Sequence, residues 1–191
     1  MTPQDEYAEL DEAPPATPAA TVVIFRNDPA GGPPQLLMVE RSATMNFAGG
    51  AAVFPGGRVD DADRDLAATM AVPGADAEAL DDLAGRIAAV RETIEETGLV
   101  VGIDRAVGHD EALAARALLV EQGALAPVLE RYGWGLRLAD LTYFARWLPK
   151  HRHMRVFDTR FYLADLAPGR SICWSMRPRT PTCSGPARRR R

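Results

Sequence analysis

Arg91-Glu92-Thr93-Ile94-Glu95-Glu96-Thr97-Gly98-Leu99 is the stretch on which the reading of this 191-residue chain turns. It closes a segment in which Leu80, Leu83, Ile87, Val90 and Ile94 recur at three- and four-residue steps, the spacing of one apolar face of a helix. The spacing predicts a helix beginning near Glu78 and capped by Gly98. At one turn per 3.6 residues, Glu92 and Glu96 lie about 40° apart on the wheel and roughly 6 Å apart in rise, with Glu95 about 60° to the other side of Glu92. All three carboxylates therefore share the face opposite the apolar stripe. Such a cluster costs like-charge repulsion, and a helix C-terminus is the unfavourable end for anions. Arg91, four residues before Glu95, is placed to neutralise that one carboxylate only. A hard divalent cation with oxygen ligands, Mg²⁺ or Mn²⁺, balances the others. A plain solvated acidic face is the competing reading, and the cluster alone does not decide between them.

Upstream of the helix, Thr21–Arg26 is β-branched and apolar, Asn27–Pro34 is turn-rich, and Gln35–Arg41 reads as a second strand, so the pair reads as a hairpin. Ser42–Gly50 reads as a loop, and Ala51–Phe54 as a short strand running into Pro55-Gly56-Gly57. A glycine pair at a strand exit lets backbone approach a ligand closely. Arg58–Asp76 reads as acidic and irregular, broken at Pro73-Gly74. Downstream, Leu99–Ile103 looks strand-like, Glu111–Gln122 and Ala126–Tyr132 read as two short helices, and Leu141–Leu148 and Thr159–Leu166 as strands. Strands and helices in this mixture predict a mixed sheet with helical cover.

Taken together, the glycine pair, the carboxylate helix and Gly98 resemble the box of the Nudix hydrolase family. Its pattern is a Gly, five residues, Glu, seven residues, then Arg-Glu-apolar-x-Glu-Glu-x-Gly-apolar. Gly57 matches the leading glycine; Arg91, Glu92, Glu95, Glu96, Gly98 and Leu99 match the second half; Thr93 replaces an apolar residue. Gly57 and Arg91 are 34 positions apart, 20 more than the pattern allows. Counting back eight from Arg91, the expected glutamate falls on Leu83. The insertion, together with Leu37-Met38-Val39-Glu40-Arg41-Ser42, Gly50 and Phe54-Pro55-Gly56-Gly57, resembles the branch of the peroxisomal acyl-coenzyme A diphosphatases, with Asn46 where an Arg is usual.

The resemblance implies an α+β fold, a Nudix-type α/β/α sandwich with a mixed β-sheet. Members of the family continue with a further strand and a closing helix, whose pattern is not visible in the tail, which leaves completeness at the C-terminus open. It implies a pyrophosphohydrolase that uses Mg²⁺ or Mn²⁺ to split a diphosphate linkage in a nucleoside diphosphate derivative, coenzyme A or acyl-coenzyme A among them. By the same resemblance Glu92, Glu95 and Arg91 are catalytic, Glu92, Glu96 and the Gly56 carbonyl hold metal, and Glu95 either ligates a second ion or is held by Arg91. Gly57 and Arg58 meet the substrate, as does Arg41 unless it is a surface arginine at a strand end. The general base is left open, since such enzymes often take it from a later loop. A binding or regulatory domain of this fold, or a truncated inactive remnant, is the alternative. Lys150, His151, Arg152, His153 and Arg155 form a basic cluster that could meet a substrate anion or lie in a solvated loop. Trp134, Tyr143, Phe144 and Trp147 could stack on an adenine or pack the core.

Composition frames these readings. Apolar residues make up 47% and charged residues 25%, as in a globular protein, and no apolar run reaches the ~18 residues of a membrane span. The net charge of −4 hides a split: residues 170–191 hold seven arginines and no acid, leaving 15 basic against 26 acidic residues before them, a net of −11. An acidic body argues against nucleic acid as a partner. A small-molecule diphosphate is the expected partner, with a homodimer left open. Three parts follow: an acidic, Pro/Ala-rich lead-in over 1–20, one domain over 21–166, and an irregular basic tail over 167–191. The tail reads as a disordered end, or as a shifted reading frame, in preference to a binding arm. Both cysteines, Cys173 and Cys183, sit in it. The acidic start lacks the chemistry of a secretory signal, and the expected location is cytoplasmic.

Overall fold

A computed structural model describes residues 16–28, 30–40, 50–149 and 156–166 of the chain. The apolar, β-branched run expected over 21–26 is a ten-residue strand, β1 (Thr17–Arg26), which begins four residues earlier than the sequence reading placed it. Pro18 is tolerated inside it for a geometric reason. It stands at the end of the ladder with the β5 chain: its carbonyl accepts from Val59 N–H (2.9 Å), and with no N–H of its own to return, the pairing stops there. The expected second strand splits into β2 (Gln35–Leu36) and β3 (Val39–Glu40), and β3 pairs with β4 (Ala52–Val53) in a small antiparallel ribbon.

Pro55-Gly56-Gly57 is not a bare turn. Gly56–Arg58 forms β5, antiparallel to β1 with Gly56 opposite Thr21 and Gly57 opposite Ala20. The stretch read as irregular likewise holds a helix, α1 (Asp61–Met70), whose N-cap Asp60 donates its backbone N–H to Asp63 Oδ2 at 2.9 Å. Acidic composition concealed it: Asp60 to Asp63 is the short-range capping pattern of a helix start. α2 (Ala77–Thr97) follows, with Asp76 accepting from Ala79 N–H (2.8 Å) at its start and Gly98 left-handed (φ 71°) at its end. Then come α3 (His109–Gln122), α4 (Ala126–Tyr132), a 3₁₀ turn at Leu138–Asp140, β6 (Leu141–Trp147) and β7 (Phe157–Asp165).

The main sheet has five strands in the order β2-β1-β7-β6, with β5 also on β1. β1 and β7 are parallel over nine residue pairs, from Thr17 opposite Phe157 to Phe25 opposite Asp165; the other pairs are antiparallel, so the sheet is mixed as expected. Leu99–Ile103 is not a strand. Gly102 takes a left-handed conformation (φ 65°) against Leu141 and Val90 side chains, and Ile103 makes one isolated bridge to Leu136.

One face of the sheet, carrying Ala20, Val22, Ile24, Tyr162 and Ala164, packs on α2. From α2 come Ile87, Val90 and Ile94, each fully buried and each contributing on the order of 1.5–3 kcal/mol. Gly85 fits under Tyr162, whose hydroxyl hydrogen-bonds Asp82 (3.1 Å to Oδ1). The core therefore fixes α2 across the sheet by its apolar stripe and leaves the opposite face of its last turns directed away from that core. Among the described residues no helix is long and apolar enough to cross a membrane. The lead-in over 1–15, Arg41 and its loop, the Lys150–Arg155 cluster and the basic tail lie outside the described residues.

Candidate functional site

The site is built where β5 crosses the C-terminal end of α2. Gly56 N–H donates to Glu96 Oε2 at 3.2 Å. Gly57 lies against the Glu92 carboxylate so closely that a Cβ there would collide with it, and a Cβ on Gly56 would strike the Ala20 carbonyl. Both glycines are thus required by approach, the first by backbone and the second by the carboxylate it faces. The sequence-predicted residues Arg91, Glu92, Glu95, Glu96, Gly56, Gly57 and Arg58 come together here. Glu92 and Glu95 are half-buried and Glu96 is exposed.

Arg91 is the hub of this arrangement. It is buried, at 3% exposure, and its guanidinium meets Asp63 (2.9 Å), Glu92 (3.0 Å), Glu95 (3.5 Å) and Asp60 (3.5 Å), while Nη2 donates to the Arg58 carbonyl at 2.9 Å. The expectation that it neutralises Glu95 alone is corrected, because its principal partner is Asp63, itself 1% exposed. Burial by itself lowers the Arg91 pKa, but the hydrogen bonds to Asp63 and the charges of Asp63, Glu92 and Glu95 more than reverse that, and the guanidinium is firmly charged. For Glu92, burial dominates and raises the pKa, aided by Glu95 and Asp60 and opposed by Arg91.

Asp63 is the residue that sequence reading missed. Leu83, where counting back from Arg91 placed the missing acid, is a partly buried hydrophobic residue packed on the core. Counting forward from Gly57 by the same pattern, five intervening residues, reaches Asp63. The 20 extra residues thus fall after this acid, and the fold returns it to Arg91 by packing α1 on α2. The signal was present but was read from the wrong end of the insertion.

Arg58 is exposed and paired with Asp60 at 2.7 Å, so its guanidinium stands beside the carboxylates without being fixed among them. Trp134 is a core residue, tilted against Tyr132 and donating its indole N–H to Glu111 (2.9 Å), so of its two readings the packing one holds. Tyr143, Phe144 and Trp147 are exposed on β6, where Tyr143 meets Tyr162 edge-on and Phe144 meets Phe161.

In kind, three carboxylates and a backbone carbonyl are the donors of a hard divalent cation. They are not drawn together as one: among the described residues no three His, Cys, Asp or Glu side chains are placed to share an ion. Glu92 is instead turned to Arg91, and Glu96 to the Gly56 N–H.

Comparison with known proteins gives this geometry a setting. The crystal structure of a NUDIX hydrolase from Alicyclobacillus acidocaldarius is 31% identical, covers 79% of this chain and 70% of its own, and superposes with a TM-score of 0.64. A MutT/nudix family protein from Enterococcus faecalis is 15% identical over 85% of this chain and 41% of its own, with a TM-score of 0.45. The chain matches no family model and no curated protein.

Proposed function

The chain belongs to the Nudix hydrolase family, and on that premise we propose that it is a metal-dependent hydrolase of a diphosphate linkage in a nucleoside diphosphate derivative. The observation that carries the reading is the carboxylate set on the last turns of α2, with Glu92 and Glu95 paired to Arg91, Glu92 against Gly57, and Glu96 on the Gly56 N–H. Mg²⁺ or Mn²⁺, held by these glutamates and the Gly56 carbonyl, would polarise phosphoryl oxygens and acidify a bound water. This chain's own residues supply the rest. Arg91 orients Glu92 and Glu95, Gly57 gives the Glu92 carboxylate room to lie against β5, and Arg58 is free to leave Asp60 for a phosphate oxygen. In the reaction a water oxygen forms a bond to phosphorus, the bridging P–O bond breaks, and the released phosphate carries the bridging oxygen away.

Coenzyme A or an acyl-coenzyme A is the substrate class favoured by the 37–57 sequence and by the insertion between Gly57 and Arg91. A second reading, a Nudix-fold binding or regulatory domain without turnover, has one observation on its side: no described trio of ligands stands ready for an ion. Incubation with Mg²⁺ or Mn²⁺ and a panel of coenzyme A, ADP-ribose and NADH separates the two. Hydrolysis of at least one compound is expected, with Glu96→Gln reducing kcat by ten-fold or more, on the order of what loss of a metal-site group costs. Absence of cleavage across the panel, or an equally active Glu96→Gln, sinks the hydrolase reading in favour of the binding domain.

A further inference from the structure

The last turn of an α-helix leaves carbonyl oxygens without intrahelical donors. In α2, Gly98 N–H reaches the Ile94 carbonyl (2.8 Å), but Leu99 N–H turns aside to Thr97 Oγ1 (3.0 Å), and Thr97 Oγ1 itself donates to the Thr93 carbonyl (2.6 Å). The Glu95 carbonyl is met from another element: Arg116, half-buried on α3, donates its Nε–H to it at 2.7 Å. α2 has no basic residue in its last turn, yet it places Glu95 and Glu96 there, at the negative end of the helix. Arg91 serves the carboxylates from the α1 side; Arg116 reaches the same turn from α3 and donates to its backbone.

We propose that Arg116 is a positioning residue for the metal-binding end of α2, seating the turn that carries Glu95 and Glu96 through its hold on the Glu95 carbonyl. The inference rests on the metal-site reading above. Its test turns on a sign. Removing a positive charge near a cation site, by Coulomb's law alone, tightens cation binding. Removing an anchor that sets the ligands loosens it. A contact that serves stability only leaves affinity unchanged well below the melting temperature.

Mn²⁺ binding to the full chain, without substrate, is followed by the paramagnetic resonance of the free ion. Arg116→Met and Arg116→Gln delete the charge and the reach, and Arg116→Lys keeps both in part. We expect Mn²⁺ affinity to fall by about tenfold in the first two, the size typical of residues that orient metal ligands, and to recover in Arg116→Lys. Unchanged or tighter binding in Arg116→Met and Arg116→Gln overturns the proposal, as does failure of both to fold, which assigns Arg116 to stability alone. If the unmodified chain binds no Mn²⁺, the metal-site reading falls and this inference with it. If the unmodified chain binds and both variants bind equally well, only this inference falls.

Discussion

At the residue scale, the interactions that matter most connect groups far apart in sequence. Asp63 and Arg91 are 28 positions apart and both buried, so removing one leaves the other as a charge out of water. Asp63→Ala should destabilise the chain by about 3 kcal/mol, near the lower end of the 3–5 kcal/mol range for breaking a buried pair, because Glu92 and Glu95 still face Arg91. Asp63→Asn should cost less, since its amide oxygen still accepts from Arg91. Urea denaturation of both variants measures this, and a loss below about 1 kcal/mol for Asp63→Ala would show that the pair is not the anchor. The glycines give a contrasting pair of expectations. A methyl at Gly56 meets the Ala20 backbone, which cannot yield, so Gly56→Ala should lower the melting temperature sharply. A methyl at Gly57 meets the end of a flexible carboxylate, so Gly57→Ala should fold, displace Glu92 and lose hydrolysis. Thermal melts beside substrate assays separate the two, and equal losses of stability would contradict the assignment. Of these residues Gly56, Gly57, Arg91 and the glutamates were legible from type and spacing; Asp63 was not, because an insertion breaks the count.

At the scale of elements, α2 shows how far periodicity reaches. Its stripe and its Gly98 cap were legible, and the observed start at Ala77 lies within one residue of the reading. Its acidic N-terminal half makes contacts that periodicity cannot show: Glu78 pairs with Arg160 of β7 at 2.9 Å, and Asp82 accepts from Tyr162. Burial raises the Tyr162 pKa, and the Asp82 carboxylate adds to that rise. The sign follows by linkage. A tyrosine whose folded pKa is raised holds its proton more tightly when folded, so its contribution is fully present below the unfolded value of ~10 and is lost as pH rises above it. Stability of the unmodified chain should therefore fall steeply above about pH 10, and Tyr162→Phe should be less stable at pH 8 yet lose less on going to pH 11. Denaturation midpoints at the two pH values check this; parallel losses would remove Tyr162 as the cause. α1 was read as irregular because its short apolar repeat, Ala62, Leu66 and Met70, is set among aspartates, and it is held in place by the Asp60–Asp63 cap and by Arg91.

At the scale of the whole molecule, the parallel pairing of β1 with β7 joins residues about 140 positions apart and makes the sheet on which α2 lies. The strand character of both segments was legible; their adjacency was not, because β-branched composition marks a strand without naming its partner. The charge split has a similar history. Part of the −11 body is now located, with Asp60, Asp63, Glu92 and Glu95 grouped around one guanidinium. Family membership and the proposed chemistry predict that this whole assembly, and not the α2 helix alone, is needed for turnover. By itself the sequence determined the carboxylate helix, its cap, the glycine pair and the mixture of strands and helices, because these are local patterns of period, chirality and approach. Only the tertiary structure decided that Asp63 answers Arg91, that Arg116 closes the end of α2 and that Trp134 belongs to the core, because those are contacts across the chain, set by which surfaces pack once water is excluded.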